Sequence, residues 1–177
     1  MPGSQMGYIE MGATTVGILC KDGVILASEK RISYGYTIMS KAGKKVFLIN
    51  ERIGIAFAGL ISDAQAILRR LSAEIKLYEL DYHTKMSVKS AAKLLSNILY
   101  SQRGFPAFAE TIVGGVDEEG HKLYILDPLG SLMEDKFALL DGGQVCGPWD
   151  RRGSGYKRYR AGVQGRDVAE GWEGAGS

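Results

Sequence analysis

A threonine hydroxyl attacks a peptide carbonyl poorly unless a base takes its proton. A threonine at the first position of a chain carries that base in its own α-amine. The stretch Met11-Gly-Ala-Thr-Thr-Val-Gly-Ile18 raises this chemistry. Cleavage after a small residue, Gly12 or Ala13, creates a new amino terminus, and cleavage after Ala13 puts Thr14 there. An α-amine titrates at about 7.7–8.0, close to working pH, where a base is most effective. A nearby lysine can keep that amine neutral and move protons, and a carboxylate can hold such a lysine in place. A backbone N–H can receive the charge that develops on the carbonyl oxygen.

Taken one at a time, the residues able to fill those roles have ordinary readings. Lys45 follows Lys41 and Lys44, and a lysine cluster reads as a solvated face. Glu29 beside Lys30 and Arg31 reads as a strand-end salt bridge of little worth. Gly59 reads as a tight bend before a helix. His83 and His121 share no metal-ligand spacing with each other or with Cys20 and Cys146, so no zinc site and no cofactor is expected. Two distant cysteines suit reduced thiols in a cytosolic protein. At 177 residues and 45% hydrophobic content the chain reads as one domain, with no membrane span. Met1 to Gln5 has neither the basic start nor the apolar core of a signal peptide. A net charge of +2 selects no class of partner.

The elements that must position these residues follow from hydrophobic period. Thr14 to Cys20 alternates, with Val16, Ile18 and Cys20 on one face. Lys21-Asp22-Gly23 is a hairpin turn, and Val24-Ile25-Leu26-Ala27 is a second strand. Being apolar throughout, that strand is expected to be covered on both faces. A second hairpin joins Val46–Ile49 to Ile53–Ala58 through Asn50-Glu51-Arg52. Ser62-Asp63-Ala64-Gln65 reads as a capping box, opening a helix with Ile67, Leu68, Leu71, Ile75 and Tyr78 as its stripe. Another helix starts near Ser87, buries Val88, Ala91, Ala92, Leu95, Ile98 and Leu99, and ends by Gly104-Phe105-Pro106. Strands at Thr111–Val116 and Lys122–Leu126 flank a turn at Asp117–Gly120. A turn at Asp127–Gly130 and a short strand at Phe137–Leu140 follow. Strands, two helices, then strands is an α+β order.

Six stretches together resemble the β-type subunit of the prokaryotic 20S proteasome, archaeal in flavour. They are TTVGILCKDGVILASEKR (14 to 31), SKAGKKVFLI (40 to 49), AFAGLISDAQ (56 to 65), LLSNILY (94 to 100), IVGGVDEEG (112 to 120) and YILDPLGSLMED (124 to 135). The resemblance implies a four-layer αββα sandwich of the N-terminal-nucleophile hydrolases. It implies threonine-type endopeptidase chemistry on unfolded polypeptides, in the cytoplasm. The implied partners are α subunits and other β subunits in stacked seven-membered rings, with a regulatory ATPase acting indirectly and no membrane or nucleic acid. The family's carboxylate falls on Glu29, its lysine on Lys45 and its oxyanion N–H on Gly59. The substrate pocket falls on Ile32, Gly43, Phe57 and Ile61, with Phe57 at the base. Read back without a gap from Thr15-Val16-Gly17, the family's nucleophile position is Ala13. Two alternatives stay open. Either no residue here is the nucleophile and the subunit is a scaffold, or Thr14 is, after a one-residue slip that turns it to the opposite face.

Three segments are expected: a propeptide-like stretch 1–13, a partial β-subunit domain 14–140, and a tail 141–177. The tail holds 10 of the 24 glycines, Trp149 and Trp172, and no Leu or Ile. It resembles an out-of-frame translation, with Gly142 where the family has a supporting Ser or Thr, so the second helix layer is expected to be missing. A rival use of the tail is nucleic-acid binding by Arg151–Arg160, which has five basic residues, two tyrosines and no acid.

Overall fold

Residues 14–34 and 37–141 are described by the computed structural model. Ala13, Gly142 and the basic segment 151–160 lie outside them. The first sheet joins β1 (Thr14–Cys20), β2 (Gly23–Ser28) and β10 (Phe137–Asp141) in the order β10-β1-β2, antiparallel throughout. The second runs β5 (Val46–Leu48), β6 (Ile53–Gly59), β7 (Ala109–Asp117), β8 (Gly120–Leu126) and β9 (Leu132–Glu134), also antiparallel. A ribbon of β3 (Ile32–Tyr34) and β4 (Thr37–Ser40) leads from one to the other. The helices α1 (Ile61–Tyr82) and α2 (Val88–Ser101) interrupt the second sheet between β6 and β7.

β6 organises the core. Every residue from Ile53 to Ala58 is buried, because the strand has a layer on each side. Ile53, Ile55 and Phe57 pack with Leu71, Ile75, Val88, Leu95 and Leu99 of the helices. Ala56 and Ala58 face the first sheet, with Ile112, Leu123, Ala138 and Leu140. The sheets approach closely because glycines stand at the contact. A Cβ on Gly17 would lie 2.9 Å from both Ile112 Cγ2 and Leu123 Cδ1, and one on Gly114 would lie 2.7 Å from Val24 Cγ1. The result is an α+β sandwich of helices, sheet and sheet. Among the described residues no second helix layer covers the outer face of the β10-β1-β2 sheet.

That architecture revises three local expectations. β2 is covered on its inner face only, with Ile25 53% exposed; β6 and the middle of β7 are the strands buried on both. On β1 the inward face is Thr15, Gly17 and Leu19, not the more apolar Val16, Ile18 and Cys20, since hydrogen bonding and close approach select that side. Ser62 is not an N-cap: α1 begins at Ile61 with Leu60 as cap and no side-chain cap bond. The chain enters this helix directly from β6, and Asp63 spends its carboxylate on Phe108 N–H at 2.8 Å. Ser87 does cap α2, accepting from Ser90 N–H at 3.1 Å.

Candidate active site

The ends of three strands meet where the sequence places its proton-handling residues. Glu29 follows β2, and its N–H donates to Thr14 O at 3.1 Å. Lys45 precedes β5, and its carbonyl accepts Phe57 N–H at 3.0 Å. Its ammonium reaches Glu29 Oε1 at 3.7 Å, an ion pair longer than a hydrogen bond. Lys45 is 6% exposed, so the solvated-face reading fails for it. Its exposed neighbour Lys44 instead lies 5.4 Å from the centroid of the Phe47 ring. No hydrogen bond reaches Lys45 Nζ among the described residues. Burial pushes this ammonium below the usual lysine value; Glu29 opposes that shift and Arg31 adds to it. An amine eased toward neutrality beside a carboxylate is equipped to accept and return a proton.

Thr14 and Thr15 part company at the start of β1. Thr15 is fully buried and donates its hydroxyl to Phe57 O at 2.7 Å, across the gap between the sheets. Thr14 is exposed, and no hydrogen bond is formed by its hydroxyl among the described residues. Pairing with β10 runs unbroken from Thr14↔Asp141 to Ile18↔Phe137. Pairing with β2 runs unbroken from Thr15↔Ser28 to Cys20↔Gly23. No bulge turns Thr14 inward. Ser28 Oγ sits 3.0 Å from Thr15 Oγ1 and donates toward Thr14 O at 3.1 Å.

Gly59 ends β6 at φ +126°, a conformation that favours glycine, and a Cβ there would lie 2.3 Å from Phe108 O. Leu60 N–H donates to that same carbonyl at 2.6 Å. Gly43 lies against Ile32, whose Cδ1 would be 2.2 Å from an added Cβ. Phe57 is 1% exposed, its ring edge-on to Phe47 in the helix-side core, and Ile61 opens α1. Sequence reasoning did not single out Thr15, Ser28 or Asp63. Strand alternation could have flagged Thr15, a polar residue on the face opposite the exposed Thr14; nothing in the local pattern marks Ser28 or the reach of Asp63.

A five-stranded sheet with helices on one face and a second antiparallel sheet on the other has the layered form of the N-terminal-nucleophile hydrolases. Residues 9–144 match the family described as proteasome subunit, and the chain belongs to that family. Its relatives are of the β type. It is 53% identical over 135 residues to proteasome subunit beta 2 of Pyrobaculum arsenaticum, covering 76% of this chain and 66% of that protein. The figures are 54% over 130 residues, 73% and 64% for proteasome subunit beta 2 of Thermofilum pendens. For the proteasome subunit beta of Methanothermobacter thermautotrophicus they are 47% over 132 residues, 75% and 63%. The chain thus spans just under two thirds of the length of these relatives. No helix among the described residues is long and apolar enough to cross a membrane.

Proposed function

We propose that this chain is a β-type subunit of a 20S proteasome core that does not itself cut peptide bonds. The observation that carries this reading is the uninterrupted register of β1. It leaves Thr14 exposed and on the face opposite Thr15, while the family's nucleophile position is alanine, Ala13. Removing a nucleophile that acts as part of a unit costs on the order of 10⁶-fold in turnover. In this reading the chain sits in the cytoplasm, in a seven-membered β ring stacked on α subunits. An active partner β subunit hydrolyses the unfolded polypeptides that a regulatory ATPase delivers.

The site would be dormant for want, first of all, of the nucleophilic hydroxyl, with Gly142 also standing where the family has a supporting Ser or Thr. Given a threonine at position 13 and cleavage after Gly12, the freed amine takes the hydroxyl proton as the oxygen attacks the carbonyl. Lys45, held by Glu29, keeps that amine neutral and relays the proton onward to the leaving amine. The N–H of Gly59 receives the charge on the carbonyl oxygen, and Ile32, Gly43, Phe57 and Ile61 shape the side-chain pocket. Ala13→Thr is therefore expected to produce a new amino terminus at residue 13 and peptidase activity in a co-assembled particle. An unprocessed, inactive variant in an intact particle counts against the dormant site.

The Lys45–Glu29 pair favours a second reading, in which Thr14 is the nucleophile and residues 1–13 a propeptide removed autocatalytically. Intact-mass measurement of the unaltered chain in the particle separates the two. A terminus at Thr14 establishes the active reading and overturns the scaffold.

A further inference from the structure

The residues around the start of β1 form a closed circuit. Thr15 Oγ1 donates to Phe57 O at 2.7 Å. Phe57 N–H donates to Lys45 O at 3.0 Å. Lys45 Nζ pairs with Glu29 Oε1 at 3.7 Å, and Glu29 N–H donates to Thr14 O at 3.1 Å, one peptide from Thr15. The circuit crosses from the first sheet to the second and back. Its crossing by side-chain hydrogen bond is the Thr15 hydroxyl.

The crossing is built from a particular opening in the second sheet. On an antiparallel strand the N–H and C=O of one residue point to the same side. Phe57 turns both toward β5, and Lys45 O takes the N–H. The pairing of β5 with β6 begins only at Val46↔Ala56, so the C=O of Phe57 lies beyond it. Thr15 meets that carbonyl. A fully buried hydroxyl left without a partner is destabilising, so the bond holds the strand end in register as well as satisfying the carbonyl.

We propose that Thr15 is the positioning residue of this site: its buried hydroxyl joins the start of β1 to the Phe57–Lys45 strand pair, sets the Lys45 ammonium against Glu29, and keeps Thr14 on the outer face. The inference rests on reading Lys45 and Glu29 as the proton-handling pair. Ser28 supports it from β2, through its contacts with Thr15 Oγ1 and Thr14 O.

The test reads Lys45 directly and needs no peptidase activity. Trace acetylation of the full chain across a pH series, followed by peptide-resolved mass spectrometry, gives the titration midpoint of each lysine amine. Glu29 and Arg31 are the charged groups that act on Lys45. In the parent, Lys45 should titrate below the other lysines. Thr15→Val, which keeps the shape and removes the hydroxyl, should loosen the Glu29 contact that holds the Lys45 midpoint up and so move it further below the ordinary lysine value, while the exposed lysines stay put; an upward shift counts against the proposal. Thr15→Ser should restore it. An unchanged Lys45 midpoint in folded Thr15→Val, or a parent Lys45 that titrates like its neighbours, overturns the proposal. Should Thr15→Val not fold, Ser28→Ala decides, because it removes a contact to the hydroxyl and leaves Thr15 in place; a downward shift supports the circuit, and no shift or an upward one ends it. Failure of Ala13→Thr to mature would sink the dormant-site reading, and the Lys45 titration would still be read on its own terms.

Discussion

Lys45 keeps a charge where water scarcely reaches, with one carboxylate at 3.7 Å as its compensation. Burial lowers its proton affinity in the fold, so the unfolded chain holds more protons between the folded value and the ordinary 10.5. Below that interval the penalty on the fold is complete. As pH climbs through the interval toward 10.5 the penalty disappears and stability rises. Lys45→Met removes the buried charge, leaving Glu29 37% exposed to water. Its urea midpoint should therefore exceed the parent's at neutral pH, with the gap closing as pH approaches 10.5. Equal midpoints at neutral pH would show that the carboxylate fully compensates the burial. Recognising this pair in the sequence depended on family resemblance, since Glu29 and Lys45 lie on different strand ends and share no local period. Its burial was not legible, because the adjacent Lys44 is a surface residue with the same letter.

At the level of elements, two serines that look alike in sequence behave differently. Ser87→Ala removes the cap bond of α2 and should cost about 1 kcal/mol. Ser62→Ala, inside the first turn of α1 with no cap to lose, should stay within about 0.5 kcal/mol. Chemical denaturation of the two variants checks both. Glycines divide the same way. Gly59→Ala meets a backbone carbonyl at 2.3 Å in a positive-φ bend and should destabilise by about 3 kcal/mol or more. Gly104→Ala meets nothing within 4 Å and should be near neutral. The hairpins and the α1 stripe of Ile67, Leu71 and Ile75 could be read ahead of the structure because their period is sustained. β3, β4 and β9 are three or four residues long and carry too little pattern to read. The inward face of β1 was hidden because Thr15 and Gly17 are selected there for bonding and clearance, so hydropathy points to the wrong side.

Considered as a whole, the described molecule has one well-covered sheet and one with a bare side. Ile25, Phe137 and Leu139 are 53%, 46% and 37% exposed on β2 and β10. Large apolar groups open to water bind hydrophobic dyes. Ile25→Lys should lower dye fluorescence and leave the unfolding midpoint of the helix-covered core near that of the parent; unchanged fluorescence would mean that Ile25 is shielded in solution. The inner side of the same sheet has a different consequence. Side chains of one leaf seat in glycine notches of the other, Leu123 and Ile112 at Gly17, Leu26 at Gly54 and Val24 at Gly114. This is a mortise joint: sliding either leaf along the other drives a branched tip into bare main chain. Force applied at the beginning of β1 therefore passes into β6 and β7 as a rigid push, and the two leaves travel together until the joint breaks.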